Sequence, residues 1–210
     1  MLPVKCWQVD AFTDRPYRGN PAAVCWLDHD ATDDWMQAVA GEMNLSETTF
    51  IQRRADGYSL RWFTPLVEVA LCGHATLASA HALWTEQNHP LDQPIHFHTK
   101  SGVLICRWQD GLIEMDFPAT PAEATEPPEG LLESLGVLPV FVGKTQFDHL
   151  VVVKNAEEVR SLTPDFEKMK LVSTRGVMVT SRSDDSRYDF ISRFFWFIRL
   201  KRTSYGASSR

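Results

Sequence analysis

The sequence predicts an α+β protein, on three observations. Short apolar or alternating runs recur along the chain and are closed by Gly, Pro, Asn or Asp, as strands and their turns are. Two Asp-Gly steps, Asp56-Gly57 and Asp110-Gly111, lie between such runs and predict hairpins. Helical patterns are few and are mixed among the strands.

Taken in order, Val4 to Phe12 alternates in part and stops at the turn Thr13-Asp14-Arg15-Pro16, so it reads as a strand. Gly19-Asn20-Pro21 makes a tight turn into a second, apolar strand that ends at Leu27. Thr32-Asp33-Asp34 reads as a helix N-terminus, and Trp35, Met36, Val39, Ala40 and Met43 follow at helical spacing. Asn44 tolerates a left-handed backbone and ends that helix. Thr48 to Arg53 and Tyr58 to Phe63 are strands on either side of Asp56-Gly57. Ala75 to Trp84 carries Ala75, Ala78, Ser79, Ala80 and Ala82 on several faces, which predicts a helix enclosed by other elements. Ile95 to Phe97, Gly102 to Trp108 and Leu112 to Phe117 read as further strands. Prolines and glutamates then crowd the stretch from Pro118 to Gly130, the best candidate for a domain boundary. Beyond it come a short helix at Gly130 to Leu135 and strands at Asp148 to Val153, Gly176 to Thr180 and Tyr188 to Phe195.

Bulk properties narrow the function. The 210 residues suit one large domain or two small ones, and 44% hydrophobic with 23% charged residues is ordinary for a soluble globular protein. A net charge of −6 argues against a nucleic-acid surface. No apolar run reaches the roughly 20 residues that span a bilayer, and no signal-peptide core follows Met1, so a cytoplasmic protein without membrane contact is expected. The cysteines Cys6, Cys25, Cys72 and Cys106 are too scattered for a zinc knuckle or a disulfide scaffold. Cys6, Cys25 and Cys106 lie in apolar stretches and read as buried small hydrophobes.

Three segments carry chemistry. Gly19-Asn20-Pro21 places an amide beside a tight turn, although a plain turn explains it as well. Glu47, in Asn44-Leu45-Ser46-Glu47-Thr48, sits at a helix-to-strand junction next to apolar residues. A partly desolvated carboxyl there has a pKa suited to general acid/base work, while a solvated loop glutamate is the plainer reading. In Leu71-Cys72-Gly73-His74-Ala75 an apolar run enters a helix start, where backbone N–H groups favour a carboxylate. A thiol there, Cys72, is expected to have a depressed pKa and to act as an acid/base or nucleophile, with His74 donating a hydrogen bond or a proton; the plainer reading is a buried cysteine and a satisfied core histidine. The other histidines, His29, His81, His89, His96, His98 and His149, form no metal set and read as surface residues; there is no phosphate-binding glycine loop.

Together these segments resemble the phenazine-biosynthesis-like (PhzF-type) isomerase family. The matching residues are Val9-Asp10-Ala11-Phe12-Thr13, Gly19-Asn20-Pro21-Ala22-Ala23-Val24 and Met43-Asn44-Leu45-Ser46-Glu47-Thr48-Thr49-Phe50. They continue in Leu60-Arg61-Trp62-Phe63-Thr64-Pro65, Leu71-Cys72-Gly73-His74-Ala75-Thr76-Leu77, Met115-Asp116-Phe117-Pro118-Ala119 and Tyr188-Asp189-Phe190-Ile191-Ser192-Arg193-Phe194-Phe195. The resemblance implies the diaminopimelate-epimerase-like fold, with two similar lobes, each a curved sheet around a central helix, and the active site in the cleft between them. It implies boundaries at 1–118 for the first lobe, 119–129 for a linker and 130–196 for the second lobe. It implies a cofactor-free, metal-free isomerase in which Glu47 takes a proton from one carbon of a small carboxylate-bearing substrate and returns it to another. His74 would orient or help protonate, Ser46, Cys72 and Gly73 would contact substrate, and Asn20 would support the pocket. A homodimer is expected, since two-fold dimers are the commonest oligomers.

The sequence departs from the family after Trp196, where an acidic, glycine-containing motif should open the central helix of lobe two. Residues 197–210 instead carry Arg199, Lys201, Arg202 and Arg210 and no acid, an atypical basic tail. The expectation is a truncated or frameshifted member whose second lobe is incomplete, since two lobes need about 280 residues. Two alternatives to the isomerase stand. An inactive fragment would act as a binding or oligomerisation module. A cysteine-based racemase or epimerase would use Cys72 with a second cysteine from lobe two, and none lies beyond Cys106.

Overall fold

The computed structural model describes residues 3–117 and 119–196. The basic tail at 197–210, and with it the expected change of reading frame, lies outside the described residues. The chain divides after position 118 into two compact units.

Unit one contains β1 (Lys5–Ala11), β2 (Asn20–Leu27), α1 (Asp33–Met43), β3 (Glu47–Arg54), β4 (Gly57–Phe63) and β5 (Glu68–Val69). It continues with α2 (Gly73–Glu86), β6 (Ile95–Thr99), β7 (Gly102–Gln109) and β8 (Leu112–Asp116). The strands form one sheet in the order β1-β2-β3-β4-β6-β7-β8, with β5 paired to β4. Helix α2 packs against β1, β2, β3 and β8. Strands from both ends of the sheet therefore meet one helix, so the sheet curls around it. The composition of α2 explains the arrangement. Ala75, Thr76, Ala78, Ser79, Ala80, Ala82, Leu83 and Trp84 are all buried, and their mostly small side chains admit strands on every face. Around them Ile51, Leu60, Trp62, Ile95, Phe97 and Leu104 complete the core. Each such side chain, fully buried, contributes about 1.5–3 kcal/mol.

Helix α1 lies on the other side of the sheet and joins the parallel pair β2–β3. Its ends are set by local chemistry. The Thr32 side chain accepts a hydrogen bond from the Trp35 N–H, Asp33 and Asp34 occupy the positive first turn, and Asn44 closes the helix at φ 49°. Met36 and Ala40 seal a second cluster with Cys25, Leu27, Phe50 and Phe63. The β7–β8 turn has positive φ at both Asp110 (51°) and Gly111 (82°), the hairpin geometry that an Asp-Gly step favours. At Gly19 a Cβ would stand 2.3 Å from the Ala11 carbonyl oxygen, so only glycine lets the chain double back into β2.

Unit two contains β9 (Glu123–Ala124), α3 (Leu131–Leu135), β10 (Phe141–Lys144), β11 (His149–Val152), α4 (Ala156–Arg160), α5 (Phe166–Met169), β12 (Gly176–Arg182) and β13 (Phe190–Trp196). Its sheet runs β13-β12-β11-β10-β9. The pairing repeats that of unit one: β10–β11 is antiparallel like β1–β2, β11–β12 parallel like β2–β3, and β12–β13 antiparallel like β3–β4. The short helices cover one face of this sheet, packing Leu131, Leu135, Val159 and Met169 against Val177 and Val179 of β12. On β12 and β13, Met178, Phe190 and Phe194 are exposed, at 38%, 66% and 49%.

Several expectations need correction. Cys6 is exposed, not buried, because β1 is an edge strand. His149 is not a surface residue: it is 5% exposed, with Nδ1 2.8 Å from Thr174 Oγ1. The stretch 119–129, read as linker, supplies β9 to the sheet of unit two. Strands β5 and β10 and helices α4 and α5 were not expected. No described helix is long and apolar enough to cross a membrane.

Candidate active site

Three element starts converge in unit one. The parallel register of β2 and β3 sets Ala22 opposite Glu47, so Asn20-Pro21 and Glu47 lie at the same end of the sheet. Helix α2 begins there as well, with Cys72 as its N-cap and Gly73 and His74 as its first residues. Glu47 is 6% exposed, and its Oε2 lies 3.3 Å from His74 Nε2. The two atoms are close but not aligned as a hydrogen bond, and both are buried with that capacity unmet. Cys72 Sγ lies 3.4 Å from His74 Nδ1 and also hydrogen-bonds to Glu47.

Burial dominates the electrostatics of all three groups. Desolvation pushes the Glu47 carboxyl above the ordinary carboxylate range, and the Cys72 hydrogen bond opposes it only in part. Desolvation lowers His74 below the ordinary imidazole value, opposed by a hydrogen bond to the Pro21 backbone. The depressed pKa expected for Cys72 at a helix start is not found: desolvation and then the Glu47 charge push the thiol up to about 12. At neutral pH the imidazole is therefore uncharged and the thiol protonated, so the His74–Glu47 contact is not an ion pair. The arrangement is a partly desolvated carboxyl flanked by a neutral imidazole and a thiol, each able to exchange a proton with a bound molecule.

The remaining expected residues sit around this centre. Gly73 is half-buried between Cys72 and His74, and a Cβ on it would meet nothing within 4 Å. Ser46 precedes Glu47 and is exposed. Asn20 is half-buried at the first position of β2, paired with Ala11. The structure thus brings Glu47, Cys72 and His74 into mutual contact, while Asn20 and Ser46 flank the site through their chain neighbours Pro21 and Glu47. One ligand atom from each of Glu47, Cys72 and His74 lies within 4.8 Å of the others, a spacing a divalent cation could bridge. Such an ion would have to displace the tightly held Cys72 proton.

Two positioning features were not expected. Ser79 Oγ on α2 lies 3.0 Å from Thr49 Oγ1 on β3 and 2.7 Å from the Ala75 carbonyl, and Thr49 Oγ1 reaches the Ala23 carbonyl at 3.2 Å. This buried polar link ties α2, β2 and β3 just behind the site. Its signal was a serine in an otherwise apolar helix face, which needs a partner when buried. The Pro21 carbonyl, which holds His74, left no signal, because any residue supplies a carbonyl.

A curled sheet around a small-residue helix, with a carboxyl, an imidazole and a thiol at the helix start, defines a protein of the isomerase and epimerase class. The fold alone is shared with a proline racemase structure from Agrobacterium radiobacter, at TM-score 0.55 and 9% identity over 92% of this chain and 71% of that one. Residues 9–196 match the phenazine biosynthesis-like protein family, and the chain belongs to that family. It is 48% identical to an uncharacterized isomerase of Halalkalibacterium halodurans over 93% of this chain and 74% of the relative. A PhzF-family crystal structure from Enterococcus faecalis superposes at TM-score 0.84 with 36% identity, covering 92% of this chain and 73% of that one.

Proposed function

We propose that the chain is an isomerase that moves a proton between carbons of a small, carboxylate-bearing, unsaturated substrate, with Glu47 as the acid/base. The observation that carries this reading is the pair of buried atoms Glu47 Oε2 and His74 Nε2, 3.3 Å apart and neither aligned with a partner. Buried polar groups left unpaired cost about 1–3 kcal/mol each, so a protein that keeps two of them together gains something in return. A substrate bound beside both atoms gives each a partner. The ionised carboxylate of Glu47 takes a proton from a substrate carbon as the C–H bond breaks and the double bond shifts. The resulting carboxylic acid exchanges its proton with solvent, then delivers a proton to a second carbon and is ionised again. The raised Glu47 pKa favours the first step, because desolvation makes the carboxylate a stronger base than an exposed one.

Neutral His74 hydrogen-bonds the substrate and steadies the developing charge. Gly73 leaves room for the substrate carboxylate over the start of α2, where backbone N–H groups favour an anion. Ser46 and Asn20 border the same space, and Cys72 holds the Glu47 and His74 side chains in place rather than acting as a nucleophile. The relative from Halalkalibacterium halodurans, named an isomerase, supports the reaction class. The test is incubation in heavy water with a panel of small unsaturated carboxylic acids, cyclohexadiene acids among them, followed by proton NMR. Deuterium entering a ring carbon with formation of an isomer supports the reading. Exchange with no substrate of the panel, alongside normal folding, contradicts it.

A second reading, an association module, is favoured by the exposed Met178, Phe190 and Phe194 on one sheet face of unit two. Apolar side chains gathered on one surface mark an interaction site. A concentration-independent monomer in sedimentation would remove this reading.

A further inference from the structure

Cys6 on β1 and Cys25 on β2 stand directly opposite one another in the antiparallel register, and their sulfurs are 2.9 Å apart. The strand pairing sets this proximity. Opposed residues in such a pair have Cα atoms about 4.5–5.5 Å apart, within the roughly 4.4–6.8 Å that a disulfide spans. Both thiols are free. We propose that Cys6 and Cys25 are a redox-active dithiol that low-molecular-weight disulfides such as oxidised glutathione convert to a cross-strand disulfide.

The two sulfurs are unequal, and that sets the order of events. Cys6 is exposed on the edge strand, and the hydrogen bond from Cys25 lowers its pKa. Cys25 is buried at 1% exposure, and the same hydrogen bond together with burial raises its pKa. The Cys6 thiolate attacks one sulfur of the glutathione disulfide, forms a mixed disulfide and releases one glutathione thiolate. Capping Cys6 removes the hydrogen bond that is the main cause of the raised Cys25 pKa. Cys25 then loses its proton and attacks the Cys6 sulfur, releasing the second glutathione thiolate. The two departing thiolates take up the two protons, so two protein thiols are oxidised and one glutathione disulfide is reduced to two thiols.

The remaining cysteines do not compete. Burial pushes Cys72 and Cys106 each up to about 12, which leaves little thiolate at neutral pH. Closing the bond needs the sulfurs to approach from 2.9 Å to about 2.0 Å. The product fastens the edge strand β1 to β2, the strand that begins at Asn20.

The test equilibrates the reduced full chain with glutathione at a series of oxidised-to-reduced ratios. Samples are quenched in acid, alkylated under denaturing conditions and read by intact mass and peptide mapping. The expected product has lost two hydrogens, joins the Cys6 and Cys25 peptides, leaves Cys72 and Cys106 alkylated and reverts with dithiothreitol. Cys25→Ala should stop at one glutathione adduct on Cys6. Cys6→Ser, a near-isosteric change at an exposed position, should form neither product. Full alkylation of Cys6 and Cys25 at every ratio would overturn the proposal. So would oxidation at Cys72 or Cys106 ahead of Cys6.

Discussion

His74 Nε2 stands 3.3 Å from Glu47 Oε2 across the start of α2, with both atoms buried. Because desolvation shifts the two groups in opposite directions, the carboxyl up and the imidazole down, both favour their uncharged forms. A site that resists charge on both members must be held in place by the fold around it, and this has measurable consequences.

The first concerns stability. A carboxyl whose folded pKa lies above its unfolded value of 4.5 stabilises the fold fully below 4.5, and that contribution is lost as pH rises through the folded pKa. Glu47→Gln removes this titration. Relative to the variant, the native chain should lose stability from about pH 4.5 upward until Glu47 is fully ionised. His74 carries the opposite sign: its contribution is present above 6.5 and is lost as pH falls through its lowered folded pKa. Urea denaturation of both proteins across pH 4–8 measures the loss in the native chain relative to the variant, and a difference independent of pH would contradict the raised carboxyl.

Cys72→Ser should keep proton exchange within about tenfold of the native rate, since a hydroxyl preserves the hydrogen bonds to Glu47 and His74. With its thiol held at about 12, Cys72 is a poor base at neutral pH. Loss of exchange by about a thousandfold or more in a folded Cys72→Ser protein would instead support thiol chemistry.

Gly73→Ala separates folding from binding. The added methyl meets no protein atom within 4 Å, and alanine favours a helix over glycine by up to about 1 kcal/mol. The melting temperature should hold or rise slightly, while KM for the carboxylate substrate should rise about tenfold or more, because the methyl fills space read as the substrate's. Thermal melts and steady-state kinetics on one preparation decide it, and an unchanged KM would move the substrate away from α2.

Much of unit one was legible because its signals are local. Thr32 and Asn44 cap α1, and Asp110-Gly111 takes the hairpin geometry, each through its own backbone preferences. Helix α4 carries a local signal as well: Asn155 caps it and hydrogen-bonds Glu158 three residues on, a helix-start pattern. Other features depend on register or burial, which no local pattern carries. Cys6 and Cys25 meet only because β1 and β2 pair in one register. His149 is buried, and its Nδ1 partner Thr174 lies 25 residues further along the chain. At the site, Glu47 and His74 were each visible as candidates with plain alternatives. Their contact follows from the parallel β2–β3 pairing and from α2 starting at the same sheet end.

The central claim is that the Glu47 carboxyl moves the proton. The measurement is deuterium incorporation into a turned-over substrate in heavy water, native chain against Glu47→Gln, with circular dichroism to verify folding. The amide keeps the shape and hydrogen-bonding reach of the side chain but cannot take up and return a proton. The account predicts incorporation reduced by about 10²–10⁴-fold in a well-folded variant. Incorporation at the native rate in folded Glu47→Gln would contradict it.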